Sequence, residues 1–152
     1  MRHLSKWGAG LGLAAAILAA PAVFAQTPPG VLVVGQIAEP KSLDPHAVTA
    51  VNDFRILMNV YDGLVRYKDG TLEVEPALAT SWSISDDGTE YTFELRPGVT
   101  FHDGTPLNAE AVAFNFDRML DENHPFHDTG PFPLSFFFSA VKDVEATGDS
   151  TV

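Results

Sequence analysis

Five histidines and several neighbouring carboxylates are the residues of this sequence whose types can carry metal or acid–base chemistry. His124-x-x-His127 has the separation that one helical turn uses to aim two imidazoles at one ion, and His102-Asp103 or Asp128 would add a third ligand. Pro125 stands between the two histidines, and Pro131 and Pro133 follow, so the surroundings read as loop and give the pair no shared helix face. The sequence holds no HExxH, no cysteine pair and no GxxxxGKS-type phosphate loop. Ser81, Ser83, Ser85 and Ser135 lack the GxSxG or SxxK surroundings of a nucleophilic serine. Asp86-Asp87 and Asp121-Glu122 fall where turns and a helix end are expected, as solvated acids. His102 and Asp103 read as turn-formers whose side chains bond nearby backbone. The residues therefore point to no catalytic group, no metal and no cofactor.

The elements that would position these residues are densest between Leu78 and Leu120. Trp82 and Ile84 alternate with serines, and Tyr91, Phe93 and Leu95 alternate with Thr92 and Glu94, which predicts two half-buried strands. Asp86-Asp87-Gly88 supplies the tight turn between them. Arg96-Pro97-Gly98 breaks the second strand, Val99 and Phe101 begin a short further alternation, and His102-Asp103-Gly104-Thr105-Pro106 stops it. A helix follows, with Asn108 as N-cap, Glu110 at the positive end of the dipole, and Ala109, Val112, Ala113, Phe116 and Leu120 as an apolar stripe.

This order, with Leu78-Ala79, Ser81-Trp82, Ser85-Asp86-Asp87-Gly88, Tyr91-Thr92-Phe93, Leu95-Arg96, Gly98-Val99, Phe101-His102-Asp103-Gly104-Thr105-Pro106, Ala109-Glu110 and Val112, resembles the family 5 solute-binding proteins of bacterial ABC importers. That group includes the dipeptide and oligopeptide receptors. The resemblance implies an α/β chain: the N-terminal part of a two-lobed periplasmic-binding-protein fold (type II, peptide-binding), with mixed sheets, hairpins and helices.

At the start of the chain, Arg2, His3 and Lys6 form a basic region, Gly8 to Ala20 an apolar one, and Pro21-Ala22-Val23-Phe24-Ala25 a small-residue cleavage region. Residues 1–25 therefore read as a signal peptide cut after Ala25, the apolar run being shorter than the roughly 20 residues a bilayer requires. No cysteine follows, which excludes a lipid anchor and leaves a periplasmic protein. The absence of cysteine from the whole chain makes a packed core the source of its stability. Nine Lys and Arg against twenty Asp and Glu give a net charge of −11. Nucleic acid is excluded as a partner by that balance, because phosphate binding relies on clustered cations.

Residues 26–50 read as the first strand and loop of the main lobe, with Val31-Leu32-Val33-Val34 as a strand buried on both faces. In the resemblance, Ala38 to Pro45 leaves that strand beside the ligand cleft, which makes Glu39, Pro40 and Lys41 candidates for contact with ligand backbone. The alternative is a Pro-punctuated connector in which Ser42 and Asp44 shape turns. Residues 51–152 read as a smaller mixed α/β subdomain. It opens with a helix of roughly ten to twelve residues from near Asn52, packing Leu57, Val60, Tyr61 and Leu64 inward. A hairpin about Lys68-Asp69-Gly70 follows, then a short helical turn at Ala77-Leu78-Ala79.

Beyond Leu120, Phe126, Phe132, Phe136, Phe137 and Phe138 crowd a segment with little regular period. Burying one Phe is worth roughly 1.5–3 kcal/mol, so these rings should seek cover. In the resemblance, loops after this helix reach toward the cleft, making Phe126 and Phe132 candidate pocket walls; packing in the core is the alternative. Val141 to Glu145 reads as a strand, Thr147 to Ser150 as a turn and Thr151-Val152 as the start of a returning strand, which predicts an N-terminal fragment. The resemblance implies a receptor, monomeric at full length, that closes on a short peptide and docks on ABC permease subunits. The alternatives are a same-family receptor for a nickel chelate, haem, an opine or an oligosaccharide, and an exported metal-dependent hydrolase.

Overall fold

The structure, a computed structural model, describes residues 27–152, and the expected signal peptide lies outside them. The chain divides into two compact units, one ending at Gly35 and the other running from Gln36 to Val152. In the first, the Val31 amide closes a turn on the Pro28 carbonyl at 3.1 Å, with Gly30 at φ 81°. Val31 to Val34 is exposed and belongs to no strand, contrary to the sequence expectation. A β-branched run favours extended backbone, but a strand exists only through a partner, and none of the described residues pairs with it.

The second unit is built from α1 (Val51–Leu57), β1 (Val65–Tyr67), β2 (Val74–Pro76), β3 (Ala79–Ile84), β4 (Tyr91–Leu95) and α2 (Ala109–Leu120), followed by 3-10 turns at His127–Thr129 and Pro133–Phe138. Both predicted hairpins form: β1 pairs antiparallel with β2 and β3 with β4. In the second hairpin Trp82 lies opposite Phe93 and Ile84 opposite Tyr91, as their alternation requires. Asp87 organises its turn, taking hydrogen bonds from the Ser85 hydroxyl at 2.7 Å and from the Thr89 amide and hydroxyl at 3.2 and 2.9 Å. Asp103 does the same for Thr105, confirming its turn-forming role.

Four local expectations are corrected. Helix α1 has seven residues, because after Leu57 the bonds tighten to Asn59 N–H on Ile56 and Val60 N–H on Leu57. Leu57 is buried, but Val60 and Tyr61 are exposed. Ala77 to Ala79 makes no helical turn: their amides donate to the carbonyls of Leu64 and Gly63 at 2.8 to 3.3 Å and tie the hairpins together. Val99 and Phe101 contribute only an isolated bridge, between Thr100 and Pro106. Val141 to Glu145 forms no strand; there the Asp143 side chain takes the Val144 amide, the kind of local bond that competes with pairing.

Helix α2 follows the sequence closely. Asn108 accepts the Ala111 amide at 2.9 Å and caps the N-terminus. Ala109 and Val112 pack with Leu95 as a core cluster, flanked by Leu64, Leu107, Phe116 and Val152. The chain's last residues extend the β3–β4 sheet: Phe93 and Val152 exchange backbone hydrogen bonds at 2.7 and 3.1 Å, and Leu95 N–H reaches Ser150 at 2.7 Å. The returning strand read at Thr151-Val152 is present only as an isolated bridge from Thr151 to Glu94, on β4 and not on Val141–Glu145. The aromatic segment is only partly covered. Phe132 is buried and Phe138 meets Phe116 edge-on at 5.4 Å, whereas Phe136 and Phe137 remain 76% and 75% exposed. A 3-10 turn advances three residues per turn, so three consecutive rings cannot share one face.

Candidate functional site

Residues 39–47 have no regular secondary structure, yet they are fastened at both ends. At the first, Asp53 stands in the opening turn of α1, one helical turn before Leu57, so the two share a face and both are fully buried. Its Oδ1 accepts the Lys41 amide at 3.0 Å and the Asn52 side-chain amide at 3.2 Å, while Oδ2 has no hydrogen-bond partner among the described residues. Asn52 also donates to the Glu39 carbonyl at 3.4 Å. Helix α1 therefore fixes the main chain of Glu39 and Lys41, leaving both side chains exposed and Pro40 half-buried.

The second fastening involves Asp44, His46 and Arg118. Asp44 shapes its own turn: its amide takes the Ser42 hydroxyl as acceptor at 3.0 Å, and its Oδ1 accepts the His46 amide at 2.9 Å. Arg118, in the last turn of α2, donates to Asp44 Oδ2 at 2.8 Å and Oδ1 at 3.1 Å, a two-pronged carboxylate pair. Its Nη2 also lies 3.0 Å from His46 Nδ1. A guanidinium is donor only, so His46 accepts there and carries its proton on Nε2. Thr129 Oγ1 is a further, longer acceptor at 3.4 Å, and the guanidinium lies 5.2 Å above the Phe132 ring.

Electrostatics follow from this packing. Burial pushes the Asp44 carboxyl up, but the Arg118 hydrogen bonds, the His46 amide and the guanidinium charge together outweigh it and hold it below the usual carboxylate range. Burial and then the Arg118 charge push the His46 imidazole down, against a smaller upward pull from Asp44. Gly130 completes the contact, since a Cβ there would meet the Ala47 Cβ at 3.0 Å.

Of the residues picked from sequence, Glu39, Pro40 and Lys41 form one held segment. Phe132 lies under Arg118, in contact with the same clamp, at 2% exposure and with a left-handed backbone (φ 40°). Phe126 is elsewhere, 51% exposed and packed on Phe114 at 5.8 Å, with His124 edge-on to Phe114 at 4.9 Å. His124 and His127 serve the chain's own turns: His124 Nδ1 accepts the Phe126 amide at 3.2 Å, and His127 Nδ1 donates to the Arg118 carbonyl at 3.1 Å. The sequence reading named Ser42 and Asp44 as turn residues but missed Arg118 and Asp53. An acidic residue on the same helical face as Leu57 was the available signal for Asp53; Arg118 had none, its partner lying 74 positions away.

The family described as "Bacterial extracellular solute-binding proteins, family 5 Middle" matches residues 73–152. Heme-binding protein A of Haemophilus influenzae is 47% identical over 104 residues, covering 61% of this chain and 19% of that protein. Di/tripeptide-binding protein 1 of Pseudomonas aeruginosa is 37% identical over 131 residues, covering 82% of this chain and 24% of that protein. A periplasmic binding protein of Helicobacter pylori associated with an ABC transporter, solved with the peptide STSA, matches 75% of this chain at 37% identity and a TM-score of 0.65, over 24% of its own length. The chain thus spans a quarter or less of the length of these three relatives.

Proposed function

Since the chain belongs to the family 5 extracellular solute-binding proteins of bacteria, we propose that it acts in the receptor of an ABC importer, binding short peptides and delivering them to a membrane permease. The observation that carries this reading is the likeness to the Helicobacter pylori protein holding the peptide STSA. The di/tripeptide-binding relative from Pseudomonas aeruginosa supports the same ligand class.

In this reading residues 1–25 direct export and are removed after Ala25, the receptor works as a monomer in the periplasm, and it catalyses nothing. Residues 36–47 belong to the wall of the ligand cleft. Glu39 and Lys41 offer one negative and one positive side chain two positions apart, on main chain that α1 holds still. Those are the charges that complement a peptide's two ends. Phe126 supplies exposed apolar surface, and Phe132 supports the wall from beneath. A ligand that binds the closed form better than the open one shifts the equilibrium toward the form the permease recognises.

Haem is the second reading, favoured by the 47% identity to the Haemophilus influenzae protein named for it. Native mass spectrometry of the protein taken directly from its cells tests both. A heterogeneous set of retained short peptides supports the first; a single bound haem, with its Soret absorbance, supports the second. If no small molecule is retained and melting is unmoved by di- and tripeptides or by haemin, both fail, because a ligand that binds the native state must raise its melting temperature.

A further inference from the structure

We propose that Arg118 is a positioning residue for the Glu39–Lys41 segment, and that His46 makes this hold depend on pH. This rests on the reading of that segment as ligand-contacting. Four acceptors converge on one guanidinium: two Asp44 oxygens, His46 Nδ1 and Thr129 Oγ1. Three of them come from two residues of the irregular segment, which has no regular structure of its own. Arg118 is itself fixed by the regular turn of α2, by the Phe132 ring below it and, through its carbonyl, by His127. Removing the guanidinium releases the Asp44 end and leaves, among the described residues, the Lys41 amide on Asp53, the longer Asn52 contact and the packing of Ala47 on Gly130 to hold residues 39–47.

The His46 contact has a chemical condition attached. Its Nδ1 can accept from Arg118 only while the ring is neutral. Protonation turns that nitrogen into a donor and brings two cations to hydrogen-bond distance, 3.0 Å apart. The charged or titratable groups arranged about the ring are Asp44 on its own segment, Arg118 on α2, and His127, which reaches the clamp through the Arg118 carbonyl and the face of Phe132. Asp44 favours the imidazolium, but both its oxygens are already taken by Arg118. Burial and the Arg118 charge oppose it, in accord with the downward displacement of the imidazole. The neutral clamp is therefore the tight state and acid loosens it. A receptor built this way grips its ligand at neutral pH and weakens its hold in an acidified compartment.

The test compares the protein as its cells make it with His46→Asn and Arg118→Lys. Asparagine keeps an acceptor near the Nδ1 position but cannot take up a proton. Amide hydrogen exchange across residues 39–47, corrected for intrinsic rates and referred to the β3–β4 hairpin, is measured at pH 7.5 and 4.5, together with affinity for the dipeptide Ala-Phe. In the unaltered protein, protection of 39–47 should fall roughly fivefold on acidification, the ratio carried by one lost hydrogen bond, and the dipeptide should bind correspondingly more weakly. His46→Asn should lose that pH dependence, and Arg118→Lys should lower protection at both pH values. Equal pH dependence in the unaltered protein and His46→Asn overturns the inference. If protection responds as expected but Ala-Phe binds at neither pH, the clamp stands and the peptide-receptor reading is what fails.

Discussion

Arg118 and Asp44, 74 positions apart, meet through two hydrogen bonds of 2.8 and 3.1 Å, and this pair joins the end of α2 to a segment with no regular structure of its own. Both side chains are mostly shielded from solvent, so the pair is neither a screened surface contact nor a fully desolvated one.

A double-mutant cycle on Asp44→Asn and Arg118→Met should therefore give a coupling of about 1.5–3 kcal/mol, the range for charge-assisted hydrogen bonds. Urea denaturation measures it. Additive effects of the two substitutions would show that the pair contributes no more than an exposed one.

Stability should fall as pH drops below neutrality. The folded His46 ring binds its proton less readily than the unfolded ring, whose value is about 6.5. Above about pH 6.5 neither state is protonated and the group contributes nothing. As pH falls from there through the lower folded value, the unfolded state takes up the proton first, and stability is lost. Asp44 adds a second loss at more acidic pH: its contribution is complete above about 3.9 and disappears as pH falls through its lower folded value. Urea melts between pH 7.5 and 4.5 should show the first step, and His46→Asn should flatten it.

At the other fastening, Asp53→Leu strands the Lys41 amide and should cost about 1–3 kcal/mol. Asp53→Asn keeps an oxygen in the Oδ1 position and should cost less. Comparing the two melts, with exchange at the Lys41 amide as the local probe, checks the order. A leucine variant as stable as the asparagine one would mean that the amide finds another acceptor.

Gly130→Ala places a methyl 3.0 Å from the Ala47 Cβ and should destabilise by about 1–3 kcal/mol through overpacking. Combining it with Ala47→Gly removes the opposing carbon. The double variant should be more stable than the sum of the two single losses, and thermal melts of all three decide it.

For α2, Asn108→Ala should cost about 1 kcal/mol, while Asn108→Asp keeps an oxygen for the Ala111 amide and should cost little. Circular dichroism melts distinguish the two. Equal losses would place the contribution of Asn108 outside its cap.

The sequence by itself determined the elements whose bonds are local. The Asp87 turn, the Asn108 cap, the alternation across β3 and β4 and the Ser42–Asp44–His46 turn all close within a few residues, so residue type and spacing specify them. The sequence also placed the chain in its family, through the residues of the β3–β4 hairpin, the Asp103 turn and the start of α2. It misread Val31–Val34 and Val141–Glu145, because propensity describes a strand's conformation and says nothing about whether a partner is there to pair with it. It likewise left Glu39–Lys41 balanced between ligand wall and connector. Only the tertiary structure brought Arg118 to Asp44 and His46, put Asp53 behind Lys41 and set Phe132 beneath the clamp. Those contacts join residues 12 to 74 positions apart, and no local periodicity encodes where a long flexible side chain will find its partner once the backbone has folded.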